Sequence, residues 1–162
     1  MTEEMLPLRT AVDCLLLPLS GRRLPLLVPL NAVAEVVDQP PALERPATGV
    51  PWLQGWLRWR EREIPVLAHE GIARTEVDPP SGNLRVVIFN AIGTAAARGF
   101  YGLAIRDLPR PLRLGSDSDL RAQEVVPPRG TTMVVEHGGE PAAIPDFELL
   151  EQLAVEAATL HR

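Results

Sequence analysis

The segment that decides the fold runs from Pro51 to Leu67 and reads Pro-Trp-Leu-Gln-Gly-Trp-Leu-Arg-Trp-Arg-Glu-Arg-Glu-Ile-Pro-Val-Leu. It contains three tryptophans and three arginines around one turn glycine. Side chains of an extended strand alternate between two faces, so Trp56 shares a face with Arg58, Arg60 and Arg62. Because Trp and Arg are common anchors of protein interfaces, the segment predicts a strand pair that docks onto another protein. A half-buried strand with a solvated basic face is the alternative interpretation.

The composition favours a compact β-rich domain. With 162 residues, 46% of them apolar, the chain can form one domain or two small lobes that share a core. The 17 prolines and 12 glycines separate short apolar runs, as turns between strands do. The single cysteine, Cys14, lies in an apolar run, which indicates a buried thiol.

The charge pattern excludes some classes of partner. A net charge of −5 argues against a non-specific nucleic-acid binder, which needs a basic surface. The acidic N-terminus does not resemble a secretory signal, and no apolar run approaches the roughly 20 residues that cross a bilayer. We therefore expect a cytoplasmic protein that does not insert into a membrane.

Short apolar runs recur along the chain and end in one amphipathic helix. Strands are predicted at 12–19, 24–29, 34–37, 84–90, 100–105, 108–114, 131–135 and 142–144, beside the Trp/Arg segment. One helical turn is expected at 30–33 and a polar loop at 116–122. The polar connection near 68–83 is the predicted boundary between two lobes. A helix is expected at about 146–160, capped by Asp146. This pattern is typical of small β-barrels followed by a C-terminal helix.

Motifs that carry catalysis or bind a cofactor are missing. His69, His137 and His161 are far apart and none has a second ligand at metal-binding spacing, so no metal is expected. The glycines lie singly rather than in a phosphate-binding loop, and no serine lies in a nucleophile elbow. The sequence predicts a non-enzymatic protein without a cofactor.

A ligand-binding alternative stays open at this point. Arg58 and Arg62 have the Arg-x-x-x-Arg spacing that resembles the phosphate grip of cyclic-dinucleotide-binding PilZ barrels, although the second PilZ motif is missing. The alternative is a small barrel that senses an anionic nucleotide through Arg58, Arg60 and Arg62. A barrel-type RNA binder is disfavoured because only 4% of residues are aromatic.

From about Ala11 to Leu150 the chain resembles the CheW family of chemosensory coupling proteins. Val33-Ala34-Glu35-Val36 resembles that family's Val-x-Glu-Ile/Val element. Gly55, Arg60, Pro65 and Val66 match its Gly-x-x-Asn-x-Arg-Gly-x-x-x-Pro-Val motif at the right intervals. Two later segments also match, namely Tyr101-Gly102-Leu103-Ala104-Ile105 and Ile144-Pro145-Asp146.

The resemblance implies a mainly β fold of two small five-stranded, SH3-like barrels packed together, with a C-terminal helix. It also implies an adaptor that couples methyl-accepting chemoreceptors, at their cytoplasmic tips, to the regulatory domain of a CheA-type histidine kinase in a chemotaxis or pilus-twitching array. The partner-binding residues would then be Arg60 with Val33, Val36, Gly55, Trp56 and Arg58. For Arg60 two roles stay open, a docking anchor or an internal strut.

Four residues depart from the family pattern. Arg58, Glu61, Ala68 and Arg106 stand where the family usually has Asn, Gly, Asp and Asp. A side chain at position 61 resists positive φ, so the turn after Arg60 is expected to differ from that of the family.

Overall fold

The computed structural model describes residues 11–19, 23–46, 49–73, 83–92, 99–115 and 120–160. Within these ranges the chain forms eleven strands and one α-helix. There are also two short 3-10 turns. Leu30–Ala32 directly follows the strand that ends at Pro29, and His69–Gly71 is separated by one residue from the strand that ends at Leu67. The first of them confirms the helical turn expected at 30–33.

One sheet is assembled from both ends of the chain. Its strands are β1 (Val12–Leu17), β2 (Leu26–Pro29), β8 (Arg110–Leu114), β9 (Leu120–Ala122), β10 (Thr131–His137) and β11 (Glu140–Pro145), in the order β8-β1-β2-β11-β10-β9. Neighbouring strands run antiparallel except β2 and β11, which are parallel. As predicted, β8 is an edge strand carrying proline and arginine.

The second sheet is built from the middle of the chain. Its strands are β3 (Val33–Val37), β4 (Leu53–Trp59), β5 (Arg62–Leu67), β6 (Arg85–Asn90) and β7 (Phe100–Ile105), in the order β3-β6-β7-β5-β4. Strands β4 and β5 form a hairpin whose closing pair is Trp59 and Arg62. The Trp/Arg segment from Pro51 to Leu67 is therefore this hairpin.

The helix α1 (Phe147–Leu160) joins the two sheets through a shared core. Asp146 accepts a hydrogen bond from the Leu149 backbone N–H at 3.1 Å, which caps the first turn. Four residues at helical spacing are buried, namely Leu150, Leu153, Ala154 and Ala157. They belong to one apolar cluster with residues of both sheets, such as Leu17 and Leu103.

The mainly β fold class with a terminal helix is confirmed, with one difference in strand number. The 116–122 segment was expected to be a loop, but Leu120–Ala122 forms β9 and pairs with β10, so that sheet has six strands among the described residues. All three β9 residues are exposed, so no buried apolar run marks the strand in the sequence.

The chain passes from one sheet to the other at places that differ from the predicted lobe boundary. Residues 68–83 connect β5 to β6, and both strands belong to the five-stranded sheet. The crossings lie instead at the 3-10 turn before β3 and between β7 and β8. Proline and polar residues mark a loop, but they do not tell whether the chain changes sheets there. Residues 74–82 of this connection lie outside the described ranges.

Candidate functional site

The β4–β5 hairpin closes through a two-residue turn made of Arg60 and Glu61. Both residues have positive φ, 49° and 61° respectively, which is the combination found in a type I′ turn. This turn matches the right-handed twist of the strands but normally prefers Asn and Gly. Glu61 adopts positive φ although its Cβ resists it. The hairpin imposes positive φ on both residues, although this backbone conformation is unfavourable for a residue with a Cβ.

A single carboxylate on β3 holds the end of this hairpin. Glu35 Oε1 accepts a hydrogen bond from Trp59 Nε1 at 3.0 Å and another from Arg60 Nη2 at 3.2 Å. The Arg60 guanidinium also lies over the Trp59 ring, 4.4 Å from its centroid. Strands β3 and β4 are the two edges of the five-stranded sheet, so this contact ties those edges together.

Arg60 is exposed although its position is well defined. Its side chain is 65% exposed and that of Glu35 is 41% exposed. An ion pair in this setting contributes at most about 1 kcal/mol to folding. Its larger effect is on geometry, because the carboxylate and the indole together restrict where the guanidinium points.

The tryptophans of the segment do not form an outward face, and this prediction is wrong. Trp52, Trp56 and Trp59 are only 9%, 5% and 7% exposed. Trp56 has the same strand parity as Arg58, as expected, but it lies in the core shared by the two sheets. Arg58, two residues further along β4, is exposed.

Gly55 allows a close approach, but the approaching backbone belongs to this chain. Its φ is +154°, and a Cβ at this position would lie 2.7 Å from the Glu44 carbonyl oxygen. Glu44 and Trp56 exchange two backbone hydrogen bonds, of 2.9 and 2.8 Å, which lay the proline-rich loop along β4. Gly55 and Trp56 therefore position this loop against β4.

Val33 and Val36 lie on β3, next to Glu35. All five residues of this edge strand are half-buried. A bulge between Val33 and Glu35 shifts the register, and both valines contact the shared core with part of their surface. We call the exposed parts of Val33, Glu35, Val36, Arg58 and Arg60 the Arg60 surface.

The arginines of the hairpin do not form a purely basic cluster. Arg58, Arg60 and Arg62 are exposed, but Glu61 and Glu63 are exposed between and beside them. Arg62 lies over the Phe100 ring at 5.2 Å from its centroid. Together with Glu35, the carboxylates of Glu61 and Glu63 balance the charge of the three arginines. This balance gives little attraction for a nucleotide phosphate, so the structure does not favour the nucleotide-sensor alternative.

Glu35 is a site residue that was not predicted from the sequence. Glu35 was part of the quoted Val-x-Glu element, which was the only available signal. Its partners Trp59 and Arg60 are 24 and 25 residues further along the chain. Strand spacing within one segment cannot reveal a contact between the two opposite edges of a sheet.

Comparison with known proteins identifies the fold and the family. A family model described as the CheW-like domain matches residues 13–156. The chain belongs to the CheW-like domain family. The crystal structure of the scaffolding protein TtCheW from Thermoanaerobacter tengcongensis is similar, with a TM-score of 0.63 and 16% identity, over 85% of this chain and 90% of TtCheW. None of the curated proteins matches the sequence.

Two of the departures from the CheW family pattern lie close to the junction of the sheets. Ala68 is buried and its N–H donates to the Trp52 carbonyl at 2.8 Å. The Arg106 backbone N–H donates to the Pro18 carbonyl at 3.2 Å. Its buried Nε and Nη1 atoms have no hydrogen-bond partner among the described residues. Nothing in the structure explains why Arg stands at this position.

Away from this site, the surroundings of Cys14 do not activate its thiol. Cys14 is buried, and burial raises the pKa of its thiol while the Asp13 carboxylate raises it further. Such a thiol is a poor nucleophile at neutral pH. In the described part of the chain no three His, Cys, Asp or Glu side chains form a group suited to a metal ion. There too, no helix is both long and apolar enough to cross a membrane.

Proposed function

We propose that this CheW-like domain is a non-enzymatic adaptor that couples chemoreceptors to a CheA-type histidine kinase. In this proposal the Arg60 surface binds the helical cytoplasmic tip of a receptor or the regulatory domain of the kinase. The observation that carries it is an exposed guanidinium held in place by Glu35 and Trp59 at the turn of the β4–β5 hairpin.

The chemistry of this surface suits a protein partner. Strand β3, which carries Glu35, also has half-buried valines, and apolar area together with an arginine is typical of the anchor regions of interfaces. A fixed guanidinium can donate several hydrogen bonds to a carboxylate or to the carbonyls at a helix C-terminus. Because Arg60 is held in place before binding, docking costs it less conformational entropy than a free side chain would lose.

Backbone strain at Arg60 also supports a functional role. Its φ of 49° lies in the left-handed region, which costs a residue with a Cβ about 1–2 kcal/mol. Strained positions of this kind cluster at sites of function. Asn and Gly would form this turn with less strain. The presence of Arg at this position therefore favours the role of docking anchor over that of internal strut.

The test compares two exposed, ion-paired arginines. Arg60→Ala is expected to weaken binding of the purified kinase regulatory domain or receptor tip by more than about tenfold, because it removes an interface anchor. Binding would be measured by calorimetry, with a melting temperature for each variant. The melting temperature should change by no more than a few degrees, because the ion pair is exposed.

Arg113→Ala is the matched control. Arg113 lies on β8 in the other sheet, is 73% exposed and faces Asp13 at 3.9 Å. It should bind as the unchanged protein does. If Arg60→Ala instead lowers stability strongly and binds normally, Arg60 is a strut and the proposed surface is wrong.

A further inference from the structure

A cavity lies in the six-stranded sheet, away from the Arg60 surface. Its volume is about 450 Å³, within the range typical of sites for small molecules. It is lined at one end of the sheet, where β1 ends, β2 and β8 begin, and β10 and β11 meet at their hairpin turn. The adaptor role proposed above does not use this cavity.

The floor of the cavity is apolar and mostly buried. Leu27, Val135 and Ala142 are 5%, 2% and 4% exposed, and the half-buried Leu16 and Leu112 complete the floor. These residues come from five strands, so the backbone hydrogen bonds of the sheet fix their positions. An apolar floor of this kind accepts a hydrocarbon or aromatic body and offers no hydrogen bonds to a polar one.

The rim of the cavity is cationic. Arg23 comes from the β1–β2 connection and Arg110 from the start of β8, while Glu140 is the one carboxylate among the described residues that line the cavity. The rest of the protein is acidic, with a net charge of −5 for the whole chain, so this positive rim is local. Charge complementarity therefore favours an anionic group at the mouth.

Arg23 gives a second, independent indication of a ligand. Its Nη2 atom is buried, yet it has no hydrogen-bond partner among the described residues. A buried guanidinium donor without an acceptor destabilises a protein, since it has lost water and gained nothing in exchange. Arg23 lines the cavity, so an anion bound there would lie beside this side chain.

We infer that this cavity binds a small amphipathic anion, with an apolar body of about ten carbons on the floor and one carboxylate between Arg23 and Arg110. Guanidinium and carboxylate groups form paired hydrogen bonds with matching geometry. The ligand is a free small molecule, since the lining residues of five strands surround a concave site of this volume. No covalent step is involved.

The test titrates the full chain with monomeric decanoate by calorimetry, using decanol as a probe of equal chain length without the charge. Decanoate should bind saturably with one site, and decanol at least about tenfold more weakly, because charge-assisted hydrogen bonds are lost. Equal affinity for the two probes, or no heat with decanoate, would overturn the inference.

Three variants locate the binding site. Arg110→Ala should weaken decanoate binding about tenfold, whereas Arg113→Ala, on the same strand but outside the cavity, should not. Ala142→Leu should abolish binding by filling the floor, with its folding checked by melting temperature. If both single variants, Arg110→Ala and Ala142→Leu, bind decanoate normally, the proposed site is wrong. Binding to anionic vesicles without binding to monomeric decanoate would contradict it as well.

Discussion

At the residue scale, Glu35 determines the shape of the candidate interface. Its carboxylate serves two donors of different kinds, the buried indole of Trp59 and the exposed guanidinium of Arg60. The two donors should respond differently when Glu35 is replaced. An amide at this position can still accept from the indole, but it no longer carries the charge that orients Arg60.

Glu35→Ala and Glu35→Gln separate these two roles. Alanine leaves the Trp59 N–H without its acceptor, so the free energy of unfolding should fall by about 1–3 kcal/mol. Glutamine should stay within about 1 kcal/mol of the original protein, because the exposed ion pair contributes little to stability. Urea unfolding of both variants measures this. Equal losses in the two variants would show that the charge, and not the indole acceptor, matters for folding.

The sequence revealed the residue types of the site but not their exposure. Trp56 and Arg58 share a strand parity as expected, since alternation depends only on local backbone geometry. Arg60 lies in the hairpin turn, where alternation does not apply, and its guanidinium lies over the Trp59 ring. The burial of Trp56 depends on the other sheet and on α1, which no local pattern describes. The Glu35 contact was hidden for the same reason.

At the scale of elements, the β4–β5 hairpin adopts its turn against the preference of its residues. The positive φ of Glu61 is a conformation that glycine adopts without steric cost. The strands themselves were readable from the sequence, because short apolar runs between prolines and glycines mark them. The three-residue β9 was not, because none of its residues is buried.

Glu61→Gly should stabilise the protein. Removal of the Cβ at φ 61° should raise the free energy of unfolding by about 1 kcal/mol. Glu63→Gly is the control on the neighbouring strand β5, where φ is not positive. There a glycine should lower stability by about 0.5–1 kcal/mol through lost backbone entropy. Denaturant unfolding of the two variants measures the sign of each change in the free energy of unfolding. A decrease for Glu61→Gly would show that the turn is not strained at position 61.

At the scale of the whole molecule, the two sheets contact each other through loops as well as through the core. The His69 Nε2–H donates to the Gly130 carbonyl at 2.9 Å, and Arg129 Nη1 donates to the Ile72 carbonyl at 3.0 Å. His69 follows β5 of one sheet, and Gly130 precedes β10 of the other. Neither contact could be predicted from the sequence, because they join residues that are 61 and 57 positions apart and flank different sheets.

His69 should make stability depend on pH. Burial lowers its pKa from the ordinary 6.5 and nearby Arg23 lowers it further, whereas the Gly130 hydrogen bond and Glu70 act in the opposite direction. The unfolded chain therefore takes up a proton first as the pH falls below 6.5. The contribution of His69 to the free energy of unfolding is therefore fully present above pH 6.5. It decreases as the pH falls toward the folded pKa, by at most about 1.4 kcal/mol per pH unit.

His69→Gln isolates this contribution. Glutamine can donate to the Gly130 carbonyl but does not titrate, so the difference in unfolding free energy between pH 7.5 and 5.5, measured in urea, should be smaller than in the original protein. The same pH dependence in both proteins would show that other groups cause it.

The central claim is that this chain links a kinase to receptors, and co-sedimentation tests it most directly. Membranes that contain the chemoreceptor would be mixed with the CheA-type kinase, with and without this protein, and the pelleted kinase measured. The account predicts that the kinase pellets in greater amount when the protein is present, and that Arg60→Ala reduces this gain while Arg113→Ala does not. An equal amount of pelleted kinase with and without the protein would contradict the adaptor role.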